Sequence, residues 1–221
     1  MLSALGQLLP IAIAVAVSSF PIMVTILILL SPRRNRVAIP FLIGWVVGMA
    51  GVVIVAAYGA NALPIRPLRA EQKAIGIAEI VVGVALLLTA VLAWRRAEPK
   101  PQESESRWLA AVERMGPVTA VGLAILLNLR PKGLLLGIAA GLAIAGARLT
   151  DTDTVIIFFI YLAVACSTVV VPIVSTMVAP TQMQPRLISA RDWLERNGGY
   201  VTAVVLLVVG LVILVSGITR Q

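Results

Sequence analysis

Histidine is missing from all 221 residues, and cysteine occurs once, at Cys166. The first absence removes the commonest metal ligand and the side chain best suited to acid–base work near neutral pH. The second excludes an intramolecular disulfide. Charge is scarce too, at 13% of residues, and uneven in sign, with 18 Lys and Arg against 10 Asp and Glu. Acids so few and so dispersed form no metal-ligating cluster, and no nucleophile with a neighbouring base stands out. An enzyme is therefore not expected, nor a cofactor or metal. A Walker-type phosphate loop is also lacking, which argues against direct use of ATP.

What fills the chain instead is apolar, 60% of it. That composition belongs to the membrane class. A chain of this length holds about six spans of roughly 20 residues each and little more. The expectation is an all-α integral membrane protein with a single transmembrane domain. The net charge of +8 sits in short loops beside apolar runs, where topology and anionic lipid headgroups account for it and nucleic acid is not needed. The first apolar segment is longer than a signal-peptide core and has no basic stretch before it, so it reads as a retained span.

In order, the first span covers residues 6–30, interrupted by Ser18-Ser19-Phe20-Pro21, and stops at Ser31-Pro32 before the basic cluster Arg33, Arg34 and Arg36. The second, 37–58, carries Gly44, Gly48 and Gly51 at a spacing that suits close helix packing. A proline-marked turn at 61–68 leads to the third, 70–94, which contains Glu79 and ends in Trp94-Arg95-Arg96. Residues 97–116 form a polar linker with an interfacial helix over 106–115, where Trp108, Leu109 and Val112 share a face. The fourth span, 117–147, is followed by an acidic turn at 149–153. The fifth, 155–178, has Pro172 as a second place to bend. A further interfacial helix over 182–197, with Leu187, Ile188 and Leu194 on one face near Trp193, precedes the sixth span at 200–217. Basic residues are more numerous in the loops after spans one, three and five than on the opposite side, which makes the first side cytoplasmic and places both termini outside.

The stretch around which the chain is organised is Asn128-Leu129-Arg130-Pro131-Lys132-Gly133, in the middle of the fourth apolar run. Charge at that depth costs roughly 3 kcal/mol or more, so such side chains face a bundle interior or a wet cavity and mark a pathway. Pro131 removes a backbone donor and disfavours helix at Arg130. A broken helix follows, and such breaks persist in a membrane only where the freed backbone is buried or lines a cavity. Pro21 gives the first span a matching break. Together with the correspondence of residues 41–52 to 159–170, this reads as a 3+3 repeat, about 1–96 and 117–221. Three spans is an odd number, so the halves insert with opposite topology, the inverted repeat of many secondary transporters.

Ser18, Ser19, Pro21, Asn128, Arg130, Pro131 and Lys132 are the candidate site. Arg130 and Lys132 suit a phosphate, sulfate or carboxylate headgroup, the one by bidentate contact and the other as a point charge. The competing readings are an internal ion pair with Glu79 and snorkelling to the interface. Glu79 itself is a partner for these cations, a proton-coupling acid, or an interfacial residue. Asn128, Ser18, Ser19, Ser167 and Thr168 are candidate hydrogen-bond donors, although hydroxyls in membrane helices more often bond their own backbone. Trp45 is expected to pack within the bundle.

Ser19-Phe20-Pro21-Ile22, Leu30-Ser31-Pro32-Arg33, Phe41-Leu42-Ile43-Gly44-Trp45 with Gly48, Pro131-Lys132-Gly133-Leu134-Leu135, and Trp193-Leu194-Glu195-Arg196-Asn197 occur in an order that resembles the GAP or Sap (sulfolipid-addressing) proteins. These are actinobacterial members of the LysE transporter superfamily. The resemblance covers essentially the whole chain. It implies a LysE-like inner-membrane protein of six helices that helps to export cell-envelope glycolipids, such as sulfolipids or glycopeptidolipids, beside RND-type transporters of the MmpL kind. In the superfamily the fourth-span motif is usually Asn-Pro-Lys; Arg130 stands here at the Asn position, which adds positive charge and tilts the expectation towards an anionic head. The resulting reading is an exporter or flippase for such an amphiphile, with Arg33, Arg34 and Arg36 drawing headgroups to the interface. Membrane lipids and a homo-oligomeric partner fit this picture. An exporter of amino acids or other small solutes, and a non-transporting accessory subunit, are the alternatives.

Overall fold

The computed structural model describes residues 2–62, 68–95, 115–147 and 149–219. Among these the chain is helical, with α1 Leu2–Ala16, α2 Ser19–Leu30, α3 Arg34–Ala62, α4 Leu68–Arg95, α5 Pro117–Asn128, α6 Pro131–Gly146, α7 Asp151–Val178 and α8 Pro180–Thr219. The turn at 63–67 and nearly all of the polar linker, with its expected helix over 106–115, lie outside the described residues.

Apolar helices satisfy their own backbone hydrogen bonds, which is what a hydrocarbon environment demands. Four of these, α3, α4, α7 and α8, are long and apolar enough to cross a membrane. The bent pairs α1/α2 and α5/α6 each pass the same test together, which makes up to six spans if each pair is one. This is a multi-pass membrane protein. The pairs bend by 47° and 69° respectively, at the two places where proline and polar residues interrupt the sequence. At the first, Ser18 is extended, with φ −85° and ψ 109°. At the second, Arg130 is extended, with φ −66° and ψ 152°, as the ring of a following proline requires. Pro131 opens α6, where its missing N–H costs nothing.

Packing ties the pieces together in a regular way. The α3 helix packs on α5 and α6, and α7 packs on α1 and α2; α4 meets α6, α8 meets α2, and α4 and α8 meet each other. Glycine lets α3 approach α5 backbone to backbone: a Cβ on Gly44 would lie 2.6 Å from the Val121 carbonyl oxygen, and one on Gly48 2.8 Å from Asn128 Nδ2. Gly51 has open space around it, so the expected glycine stripe packs through two of its three members.

Three further expectations need adjustment. Pro172 does not interrupt α7, which runs unbroken from Asp151. The acidic turn is shorter than expected, because Thr150 caps the helix by accepting from Asp153 N at 3.3 Å, and Asp151 and Asp153 favour the positive end of its dipole. The helix expected over 182–197 and the sixth span form one continuous α8 of 40 residues. On it Leu187 and Leu194 are buried, whereas Ile188 and Trp193 are exposed. These four residues do not share a face. A spacing of seven keeps the two leucines inward, and their neighbours turn away.

Candidate functional site

A cavity of about 370 Å³ lies where the two breaks meet. Ser18, Phe20 and Pro21 of the first break line it, with Asn128, Arg130, Pro131, Lys132 and Gly133 of the second. Trp45 and Met49 of α3, Thr89 of α4 and Thr202 of α8 complete its polar and aromatic wall. Six of the seven candidate residues therefore share one cavity. The seventh, Ser19, stands just behind it, donating to the Gly198 carbonyl at 2.7 Å and lying 3.0 Å from the Thr202 hydroxyl.

Each side chain at the second break has a distinct role. Asn128 is buried, and its Nδ2 donates to Ala124 O at 3.0 Å and to Trp45 O at 3.3 Å, which ties α5 to α3. Its amide donor is thus spent on structure. Arg130 is exposed, with its guanidinium 4.0 Å from the centroid of the Phe20 ring, so it bridges the two breaks by a cation–π contact. Lys132 differs: its Nζ is buried and has no hydrogen-bonding partner among the described residues. An unpaired buried ammonium is among the least stable arrangements a fold can hold. The electrostatics all have one sign. The starts of α2 and α6 both reach the cavity, neither is capped by a side chain, and no acid lines it among the described residues. Helix starts carry partial positive charge and free N–H groups, so the cavity suits an anion.

Glu79 lies elsewhere. It is buried at 4% exposure in a separate void of about 10 Å³ between α1, α4, α6 and α8. Ser216 Oγ donates to Glu79 Oε2 at 3.3 Å and itself accepts from Gln7 Nε2 at 3.1 Å. Glu79 is therefore an interior residue, and in this arrangement it is not hydrogen-bonded to Lys132. Arg33, Arg34 and Arg36 sit between α2 and the first turn of α3 and do not line the cavity. Ser167 bonds its own helix at Val164 O, but Thr168 crosses to Ala16 O at 2.7 Å and satisfies the carbonyl that ends α1.

Residues 8–219 match the family described as Sap, sulfolipid-1-addressing protein. The chain belongs to the Sap family. No curated protein and no solved structure matches it. The part matched as Sap contains both breaks and every residue named in the cavity wall, together with Glu79 and Ser216; Gln7 alone of those three hydrogen-bonded residues falls outside it. Sequence reasoning missed Trp45, Met49, Thr89 and Thr202 as wall residues of this Sap-family cavity. Only the two threonines left a signal, as hydroxyls inside otherwise apolar runs. Tyr161 was missed as well; it is fully buried and donates to Met49 Sδ at 3.6 Å.

Proposed function

We propose that this Sap-family protein exports an amphiphile with an anionic or polar head across the inner membrane, or flips it there, the substrate being a cell-envelope glycolipid of the sulfolipid or glycopeptidolipid type. One observation carries the reading. Arg130, Lys132 and two uncapped helix starts converge on a single cavity with no acid among the described residues of its wall. A volume of about 370 Å³ is at the lower end for ligand pockets and fits a headgroup, not acyl chains, which would remain in the bilayer. The family's description points to the same substrate class.

The way helices pair supports an inverted repeat, since exchanging α1–α4 with α5–α8 turns most of the observed contacts into one another. On that reading the LysE-like halves meet at the midplane and the cavity is the place of alternating access. Both termini lie outside, and Arg33, Arg34 and Arg36 gather anionic heads at the cytoplasmic face. A proton gradient or an RND-type partner supplies the work. A cationic amino acid is a poor fit to a cavity lined by cations and, among the described residues, by no carboxylate.

The test compares surface-exposed with total lipid in a deletion strain complemented with wild type or Lys132→Met. A polar lipid that is made but fails to reach the surface with the variant, at equal protein level, is the expected result. An unchanged distribution in the deletion strain overturns lipid export.

A further inference from the structure

Two buried polar atoms have no hydrogen-bonding partner among the described residues, Lys132 Nζ and Trp45 Nε1. Both belong to residues lining the same cavity. Buried donors are nearly always paired, and one that is not incurs its full desolvation penalty until something accepts from it. Trp45 is 3% exposed, and its position is over-determined. Its carbonyl is held by Asn128, its ring lies parallel to Phe41 at 6.5 Å and 15°, and Gly48, one turn on, lets Asn128 approach. Packing alone would be served as well by phenylalanine. An indole fixed this firmly with its N–H unpartnered is a pre-organised donor.

We propose that the indole N–H of Trp45 contacts substrate, forming with the Lys132 ammonium the deep seat for one headgroup oxyanion, while the exposed Arg130 on Phe20 receives that headgroup at the mouth. The proposal rests on the anion-site reading above and deepens it. Indole and ammonium are donors only. An oxygen seated between them accepts from both, so the seat takes an oxyanion: a sulfate ester, a sulfonate or a phosphodiester. Asn128 is a positioning residue here, acting through the Trp45 backbone.

The experiment uses the full chain, purified in detergent, with Trp94, Trp108 and Trp193 changed to Phe so that Trp45 is the sole indole among the original four. Methyl sulfate and dimethyl phosphate are titrated separately, by Trp45 emission and by calorimetry. Each should shift the emission saturably. In the otherwise wild-type chain, Trp45→Phe should weaken methyl sulfate binding at least tenfold, and Lys132→Met should abolish it. If Lys132→Met abolishes binding but Trp45→Phe binds as tightly as wild type, Trp45 is not a ligand donor and the anion site survives. If Lys132→Met also binds normally, or wild type binds neither ester, the anion-site reading falls and this proposal with it. Should Trp45→Phe fail to fold, the emission titration decides alone, and an unchanged spectrum at saturation overturns the proposal.

Discussion

The two breaks use the same device and finish it differently. Between α1 and α2 the exposed backbone is tied off by hydroxyls from distant helices: Thr168 takes the Ala16 carbonyl, and Ser19 reaches Gly198 and Thr202. Between α5 and α6 the bend is sharper, at 69° against 47°, and among the described residues only the Asn128 side chain there is hydrogen-bonded to another helix. There the cavity wall holds an ammonium and an indole that have no hydrogen-bonding partner among the described residues. One break is an anchor. The other holds unmet hydrogen-bonding capacity, which is what a binding site has before its ligand arrives.

The contrast can be broken most forcefully at glycine. A Cβ on Gly133 would sit 2.5 Å from the Asn128 carbonyl oxygen, whereas one on Gly198 would sit 3.0 Å from the Ser19 side chain. Gly133→Ala should destabilise by about 3 kcal/mol and Gly198→Ala by about 1 kcal/mol, since a backbone oxygen at a bend cannot give way as a serine can. Thermal unfolding in detergent would rank the two, and equal losses would count against a rigid second break. Next in size is Thr168→Val, which leaves the α1 carbonyl unsatisfied and should cost about 1–2 kcal/mol without altering methyl sulfate affinity in the folded protein. A loss of affinity there would show that the first break also serves the ligand. The smallest expected effect has the opposite sign. Lys132→Met removes an unpaired buried charge and should leave the unfolding temperature unchanged or raise it, although binding is lost. A marked drop would mean that Lys132 holds the fold together.

Much of this was legible along the chain because each break announces itself locally. Proline beside polar residues in an apolar run marks Ser18–Pro21 and Asn128–Pro131, and the rule that broken helices line cavities brings them together. What could not be read depends on partners far apart in sequence. The Thr168 bond to Ala16 spans 152 positions and the Ser216 bond to Glu79 spans 137, whereas helical periodicity describes only one helix and which side of it is buried. Trp45 read as packing because its surroundings are apolar; the missing acceptor is visible only once α3, α5 and α6 are assembled. The merging of residues 182–197 with the last span was not legible either, since a polar amphipathic stretch and an apolar run read as separate helices, yet α8 passes through Gly198 and Gly199 without a break. Gly198 is there because Ser19 needs the space, not because the helix ends.

That merged helix has a mechanical consequence. Forty residues of unbroken α8 measure about 60 Å along the axis, roughly twice the thickness of a hydrocarbon core. Its charged first half and its apolar second half share one shaft, and Ser19 grips that shaft at Gly198 and Thr202, near the change from one to the other. Any rocking of α2 at the cavity must swing the outlying half through a wide arc, as a short tiller turns a long rudder.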